Sequence, residues 1–211
     1  QKRIDGFIII SPDVNHARII NDLVEVKAPL ILTANVPCYT GTAAYVDIDD
    51  ALGARLAVEH LISLGHRRIA YVGESSVISA LRRKEAYLET MKKYGLPVTP
   101  GMIAQGDYSE FVDKQVERLL DSNPDAQAIV FANDEMAFAG YRVCEKRGLV
   151  VGKDIMITGF DDCERASGME PPLTTIQQDG ELMGKMAVYD LVNRLDGKDP
   201  GKEAVSRRVP V

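Results

Sequence analysis

Strand-length apolar runs alternate with helical periodicity along the whole chain, and this alternation limits the fold more than any other feature. Ile4–Ile10 (IDGFIII) is a nearly continuous apolar run, as expected of a strand buried on both faces. Pro29–Thr33, Ala43–Ile48, Arg68–Val72, Met102–Gln105, Ala128–Ala132, Ile155–Gly159, Leu173–Gln177 and Val205–Val209 read as further strands. Helices are predicted between them. One runs from about His16 to Val26 with Ile19, Ile20, Leu23 and Val24 on one side. Another, capped by Asp49 or Asp50, runs to Leu64 with Leu52, Leu56, Ala57, Leu61 and Leu64 recurring at helical spacing. Others end near Tyr94, span about Phe111–Leu120 and Glu135–Arg147, and run from about Glu181 to Leu195. Helical crossovers join parallel strands. The fold class is therefore α/β with mainly parallel strands. There are more strands than one compact sheet holds, so two doubly wound lobes are expected.

Composition narrows the function classes. Apolar residues make up 45% of the 211, enough to build a core and to argue against disorder. With 25 Lys+Arg against 31 Asp+Glu the formal charge is −6, so the chain is not by itself a grip for phosphates. No apolar run reaches the ~18 residues of a membrane span. No leader is read at Gln1-Lys2-Arg3, and no membrane partner is expected. The 3 cysteines lack a C-x-x-C, which gives neither a disulfide framework nor a zinc site and suits reduced thiols in the cytoplasm.

Enzyme signatures are mostly missing. There is no G-x-G-x-x-G, G-x-S-x-G or H-E-x-x-H. Gly180-x-x-x-Gly184-Lys185 is one residue short of a phosphate loop and lies inside helical periodicity. His16, His60 and His66 follow no metal or nucleophile pattern. Asp47-Ile48-Asp49 follows an apolar strand, where a phosphatase of the dehalogenase type carries its nucleophile and acid; Asp50-Ala51 then breaks that motif. The reading is of a non-enzyme with no cofactor and no metal. An Asp-nucleophile phosphatase is the remote alternative.

Four stretches together carry a resemblance. Residues 59–73 read EHLISLGHRRIAYVG, 128–136 AIVFANDEM, 155–162 IMITGFDD, and 171–179 PPLTTIQQD. In order and spacing these resemble the effector-binding core of the lactose-repressor family of bacterial transcription regulators, over essentially the whole chain. The resemblance implies two doubly wound lobes like those of periplasmic sugar-binding proteins, with a small hydrophilic effector, a sugar favoured, between them. It implies one lobe of residues 1–64 plus 180–211 and another of 65–179. Hinge crossings are then expected at Leu64, Gly65 and His66, at Asp179 and Gly180, and near Pro210-Val211. It also implies a homodimer in the cytoplasm that meets operator DNA only through a helix-turn-helix head, which this sequence does not contain. A periplasmic sugar-binding protein of a transporter is the alternative of the same fold.

A sugar offers vicinal hydroxyls and an apolar ring face, so a planar Arg fork, carboxylates, amides and an aromatic ring complement it. Arg83 matches the family's R-x-x-G-aromatic pattern through Ala86 and Tyr87, with Ala in place of Gly, and Lys cannot copy its geometry. Arg82 is read as its surface neighbour. Ser79 matches a family position on the preceding loop. Asn133 and Asp134 follow a strand directly, and Asp134 is favoured as the helix cap. Asp161 matches the family carboxylate. Gln178 lies at the second crossing. Tyr108 stands where the family often stacks an aromatic, and Asp49 matches an acidic position before the first crossing.

Overall fold

A computed structural model describes residues 4–10, 16–34, 36, 39, 43–73, 77–107, 111–198 and 206–210. The chain divides into two compact units, Gln1–Asp49 with Asp179–Val211, and Asp50–Gln178.

The first unit holds a four-stranded parallel sheet in the order β1-β2-β3-β9. Its strands are β1 (Phe7–Ile9), β2 (Leu30–Leu32), β3 (Ala44–Ile48) and β9 (Ser206–Val209). Helix α1 (Ala17–Glu25) separates β1 from β2, and α7 (Gly180–Leu195) lies against β1, β2 and β3. Ile31, Val46 and Ile20 are buried. Of the side expected to be apolar on α1, Ile20 is buried while Ile19 faces solvent. Gly180, Gly184 and Lys185 lie in α7, so the near-match to a phosphate loop is ordinary helix. Val205 of the expected last strand lies outside the described residues.

The second unit is a five-stranded parallel sheet in the order β5-β4-β6-β7-β8. Its strands are β4 (Ile69–Gly73), β5 (Ile103–Gln105), β6 (Ala128–Phe131), β7 (Met156–Asp161) and β8 (Thr174–Gln177). The central strands β4 and β6 are buried at every position. Their residues have neither a wet face nor an edge, hence the continuous apolar text. Helices α2 (Asp50–Ser63) and α3 (Ile78–Lys93) pack on each other. Helices α4 (Asp113–Ser122) and α5 (Asp134–Lys146) form a second pair, and α6 (Glu164–Ser167) follows β7. Tyr87 reaches from α3 to donate its hydroxyl to the Ile69 carbonyl at 2.8 Å, and its ring stacks on Tyr71.

Two expectations change here. The buried face of α2 is Gly53, Ala54, Ala57, Val58, Leu61 and Ile62, whereas Leu56 and Leu64 are exposed. Small residues bring the helix close to the sheet: a Cβ on Gly53 would stand 2.7 Å from the Phe160 ring. The second change concerns the crossing expected at Leu64–His66. Those residues lie inside the second unit, and the division falls between Asp49 and Asp50. Helix α2 packs on α3 and against β6, β7 and β8, so it belongs with the unit it opens rather than with the one before. The other division falls between Gln178 and Asp179.

Candidate functional site

In an open parallel sheet a crevice opens at the carboxyl ends of the strands where successive connections leave in opposite directions. In the second unit that point lies between β4 and β6: β4 leads to β5 on one side, and β6 pairs on the other. Arg83 stands there. It comes from the helix after β4, and its Nη1 donates to the carbonyl of Ala132, just past β6, at 2.6 Å. Its Nε donates to Asp50 Oδ1 at 2.8 Å, and its guanidinium lies over the Phe160 ring, 3.6 Å from the centroid. Arg83 and Asp50 are both buried, at 4% and 3% exposure, which a charged pair tolerates only when each partner is met. Arg82 is less of a bystander than expected, since its Nη1 lies 4.0 Å from Asp50 Oδ2.

Asp161 ends β7 at the same edge. Its side chain is 33% exposed, and its Oδ1 lies 3.8 Å from Arg83 Nη1. Gln178 donates its side-chain amide to that oxygen, and the Gln178 backbone N–H donates to the Asp161 carbonyl at 3.2 Å. Burial pushes the Asp161 carboxyl up to about 6; Arg83 pulls it down, the Asp134 carboxylate adds to the rise, and Gln178 opposes it. The backbone is unusual at this turn, with φ of 131° at Asp161 and 57° at Asp162. Side chains other than glycine rarely hold such angles, and strain of this kind collects at working sites.

Asp134 does not cap α5. That role falls to Asn133, whose Oδ1 accepts the Met136 backbone N–H at 2.9 Å. A cap must stand in extended backbone one residue before the helix, and Asn133 does, at φ −152° and ψ 170°. Asp134 is fully buried and works as a clamp. It accepts from the Thr175 hydroxyl at 2.5 Å and from the Cys163 backbone N–H at 2.9 Å, tying α5 to β8 and to the exit of β7. A Cβ on Gly159 would collide with this carboxylate.

The geometry thus gathers Arg83, Asp161, Gln178 and Asn133 at one edge of one sheet. Ser79 lies in the first turn of α3, one turn before Arg83. Asp49 belongs to the first unit. Tyr108 lies outside the described residues. Asp47 is buried, and its Oδ1 accepts its neighbour Ile48's N–H at 2.9 Å, a poor setting for a phosphatase nucleophile. Among the described residues no group of three or more His, Cys, Asp or Glu could hold a metal. Sequence reasoning missed two members. Asp50 was read only as a possible cap, and Phe160 only as motif text, although an aromatic beside an Asp at a strand end is a signal for a cation partner.

Comparison with known proteins decides the ancestry. A family model described as a periplasmic binding protein-like domain matches residues 58–211. The chain is 35% identical over 157 residues to the HTH-type transcriptional regulator CelR of Thermobifida fusca, covering 74% of this chain and 46% of CelR. It is 33% identical over 199 residues to the ribose operon repressor of Escherichia coli K12, covering 92% of this chain and 59% of the repressor. A LacI-family regulatory protein from Chloroflexus aggregans superposes with a TM-score of 0.88 at 32% identity, covering 97% of this chain and 74% of that one. The CelR–cellobiose complex superposes with a TM-score of 0.90 at 30% identity, covering 99% of this chain and 64% of that one.

The chain belongs to the lactose-repressor family.

It spans about half the length of the curated relatives named above. The four stretches that carried the resemblance have a structural meaning. EHLISLGHRRIAYVG runs from the end of α2 through β4, AIVFANDEM from β6 into α5, IMITGFDD along β7 to its exit, and PPLTTIQQD along β8 to the unit boundary. The lactose-repressor text of this chain is the text of one sheet and its strand exits. Among the described residues no helix is long and apolar enough to cross a membrane.

Proposed function

We propose that this chain is the effector-sensing part of a transcriptional regulator and that the carboxyl edge of the second unit's sheet binds a small polyhydroxy ligand, a sugar. The observation that carries the reading is the constellation of Arg83, stacked on Phe160, with Asp161 and Gln178 at the switch point. A guanidinium donates to adjacent hydroxyls, a carboxylate accepts from them, and an amide does both. Asn133, whose Oδ1 accepts from the Met136 backbone N–H, is proposed as a further contact at the same edge. Ser79, Tyr108 and Asp49 are proposed as further contacts on the strength of the family pattern. The relatives named for cellobiose and ribose support a sugar over other metabolites.

In the whole regulator, effector binding would favour one arrangement of the lobes and so set operator binding through a helix-turn-helix head. Such a switch moves only by the effector's differential affinity for the two arrangements, typically ~1–3 kcal/mol. The whole protein is read as a cytoplasmic homodimer without catalytic activity. The relatives are transcriptional regulators, which favours this reading over a transport protein.

The test is a thermal-shift and calorimetric screen with ribose, cellobiose and other sugars, run on the wild type and Asp161→Asn. Asp161 is the cleaner variant, because Arg83→Ala would strand the buried Asp50 charge and confound binding with unfolding. At 100 times its dissociation constant a ligand stabilises by ~2.7 kcal/mol, a rise of roughly 5–10 °C for a protein of this size. That rise should fall away in Asp161→Asn. A sugar bound equally well by both proteins, or none bound by the folded wild type, overturns the assignment.

A further inference from the structure

Arg83 stands between two carboxylates of unequal reach. Asp50, the first residue of α2, holds Nε at 2.8 Å; Asp161 lies 3.8 Å from Nη1, beyond hydrogen-bonding distance. Two further restraints act on the same group, the Ala132 carbonyl at 2.6 Å and the face of Phe160. A guanidinium with a full hydrogen bond from one side is not at liberty to swing toward the other. Yet Asp161 is the carboxylate at the accessible edge, and Asp50 is the buried one. The Arg83 Nε and Nη1 are committed to Asp50 and to Ala132, not to the carboxylate at the accessible edge.

We propose that Asp50 is a positioning residue: by holding the Arg83 guanidinium against the Ala132 carbonyl and the Phe160 ring, it keeps that cation short of Asp161, whose carboxylate, held on one oxygen by the Gln178 amide, is left to accept from ligand hydroxyls. This rests on the sugar-site reading for its purpose but not for its geometry. A direct Arg83–Asp161 ion pair would occupy the acceptor that a ligand needs and would have to be broken on binding. Held as it is, the site is preorganised, and the ligand has no Arg83–Asp161 hydrogen bond to break. The groups that face the Asp161 carboxylate are Arg83 from α3, Asp134 from the start of α5 and Gln178 beyond β8. Behind Arg83 stand Asp50 and, 4.0 Å from it, Arg82. The carboxyl's elevation to about 6 agrees with a cation kept at arm's length, since burial outweighs it.

The test reads Asp161 directly, by carboxyl-carbon NMR titration of the 211-residue chain without ligand. In Asp50→Asn the guanidinium is released toward Asp161, and the Asp161 midpoint should fall by about one pH unit. Asp50→Glu keeps the charge and should hold the midpoint within about half a unit of wild type. Removing Asp50's charge also acts through space, so the cycle is closed with Arg83→Gln. In that background, where the midpoint starts higher, Asp50→Asn should move it little. A fall of equal size with and without Arg83, or no fall at all, overturns the proposal. Should Asp50→Asn not fold, Asp50→Ser carries the same expectation. With D-ribose and cellobiose as probes at pH 7.5, Asp50→Asn should weaken whichever binds by about tenfold and Asp50→Glu by less. Absence of any sugar binding would defeat the functional reading and leave the titration result standing.

Discussion

The two units are built from the same βα vocabulary but spend their interiors differently. The second unit buries a continuous apolar cluster from Val58 to Leu173, with aromatic rings of Tyr71, Tyr87, Phe131 and Phe138 at its heart. It also buries Asp50, Arg83, Asn133 and Asp134 at the strand exits. In the first unit the described core is thinner. Helix α7 buries Ala187 and Asp190 while Val188, Tyr189, Val192 and Leu195 face solvent, and Asp47 of β3 is buried too. A larger core is what allows a unit to carry polar groups out of water, because each such group costs free energy until it is matched. The only buried Arg–Asp pair among the described residues lies in the unit with the larger apolar cluster.

The sharpest way to break that comparison is to attack the stronger core. Phe131→Ala removes a fully buried ring against which α5 closes at Gly140, and should cost ~3–5 kcal/mol by urea denaturation. Amide exchange on the wild type should be slowest in β4, β6 and β7 and faster in β1 and β2. Equal protection in both sheets would contradict the contrast. A smaller effect is expected at Gly53→Ala. Its methyl would press on the Phe160 ring that carries Arg83, costing ~1–3 kcal/mol and weakening ligand binding as well. A tolerated alanine would show that α2 does not fix the site.

The smallest effect has a sign of its own. With a folded pKa of about 6 against an ordinary 3.8, Asp161 keeps its proton in the native state over a range where the unfolded chain has lost it. Its contribution therefore lowers stability as pH rises from about 4 to 6 and stays unfavourable above that. Asp161→Asn should be more stable than wild type at pH 7.5, by roughly 1–2 kcal/mol after discounting for a side chain one-third exposed, and equal to it near pH 3.5. A site that costs stability is what a binding carboxylate looks like; a structural carboxylate would show the opposite sign.

Much of the fold was legible in advance because the second unit's strands are buried on both faces and spell it out in apolar runs. Arg83 and Asp161 were legible through motif text, and Gln178 through its place beside a unit boundary. The first boundary was not legible. Gly65 is a strong helix-stop signal, but a helix stop marks the end of an element, not the edge of a packed body; only the contacts of α2 with the sheet reveal its side. The exchange of roles between Asn133 and Asp134 was equally hidden. Both residue types cap helices, and the choice turned on which of two neighbours stood in extended backbone. Asp50's bond to Arg83 joins residues 33 apart in sequence, which no local pattern encodes.

The division of the chain also sets an order of assembly. The second unit is one uninterrupted stretch, so every contact in it can form as soon as residues 50 to 178 exist as chain. The first unit is split, and its β3 finds a partner in β9 only when Tyr45 meets Ser206 across everything between. Closing so long a loop through disordered chain is entropically costly and slow. A folded insert shortens that search, because Asp50 and Gln178, its first and last residues, are each fixed to the folded unit, Asp50 by Arg83 and Gln178 by Asp161. The unit that holds the candidate site is thus expected to fold first and to serve as the splint on which the other is completed.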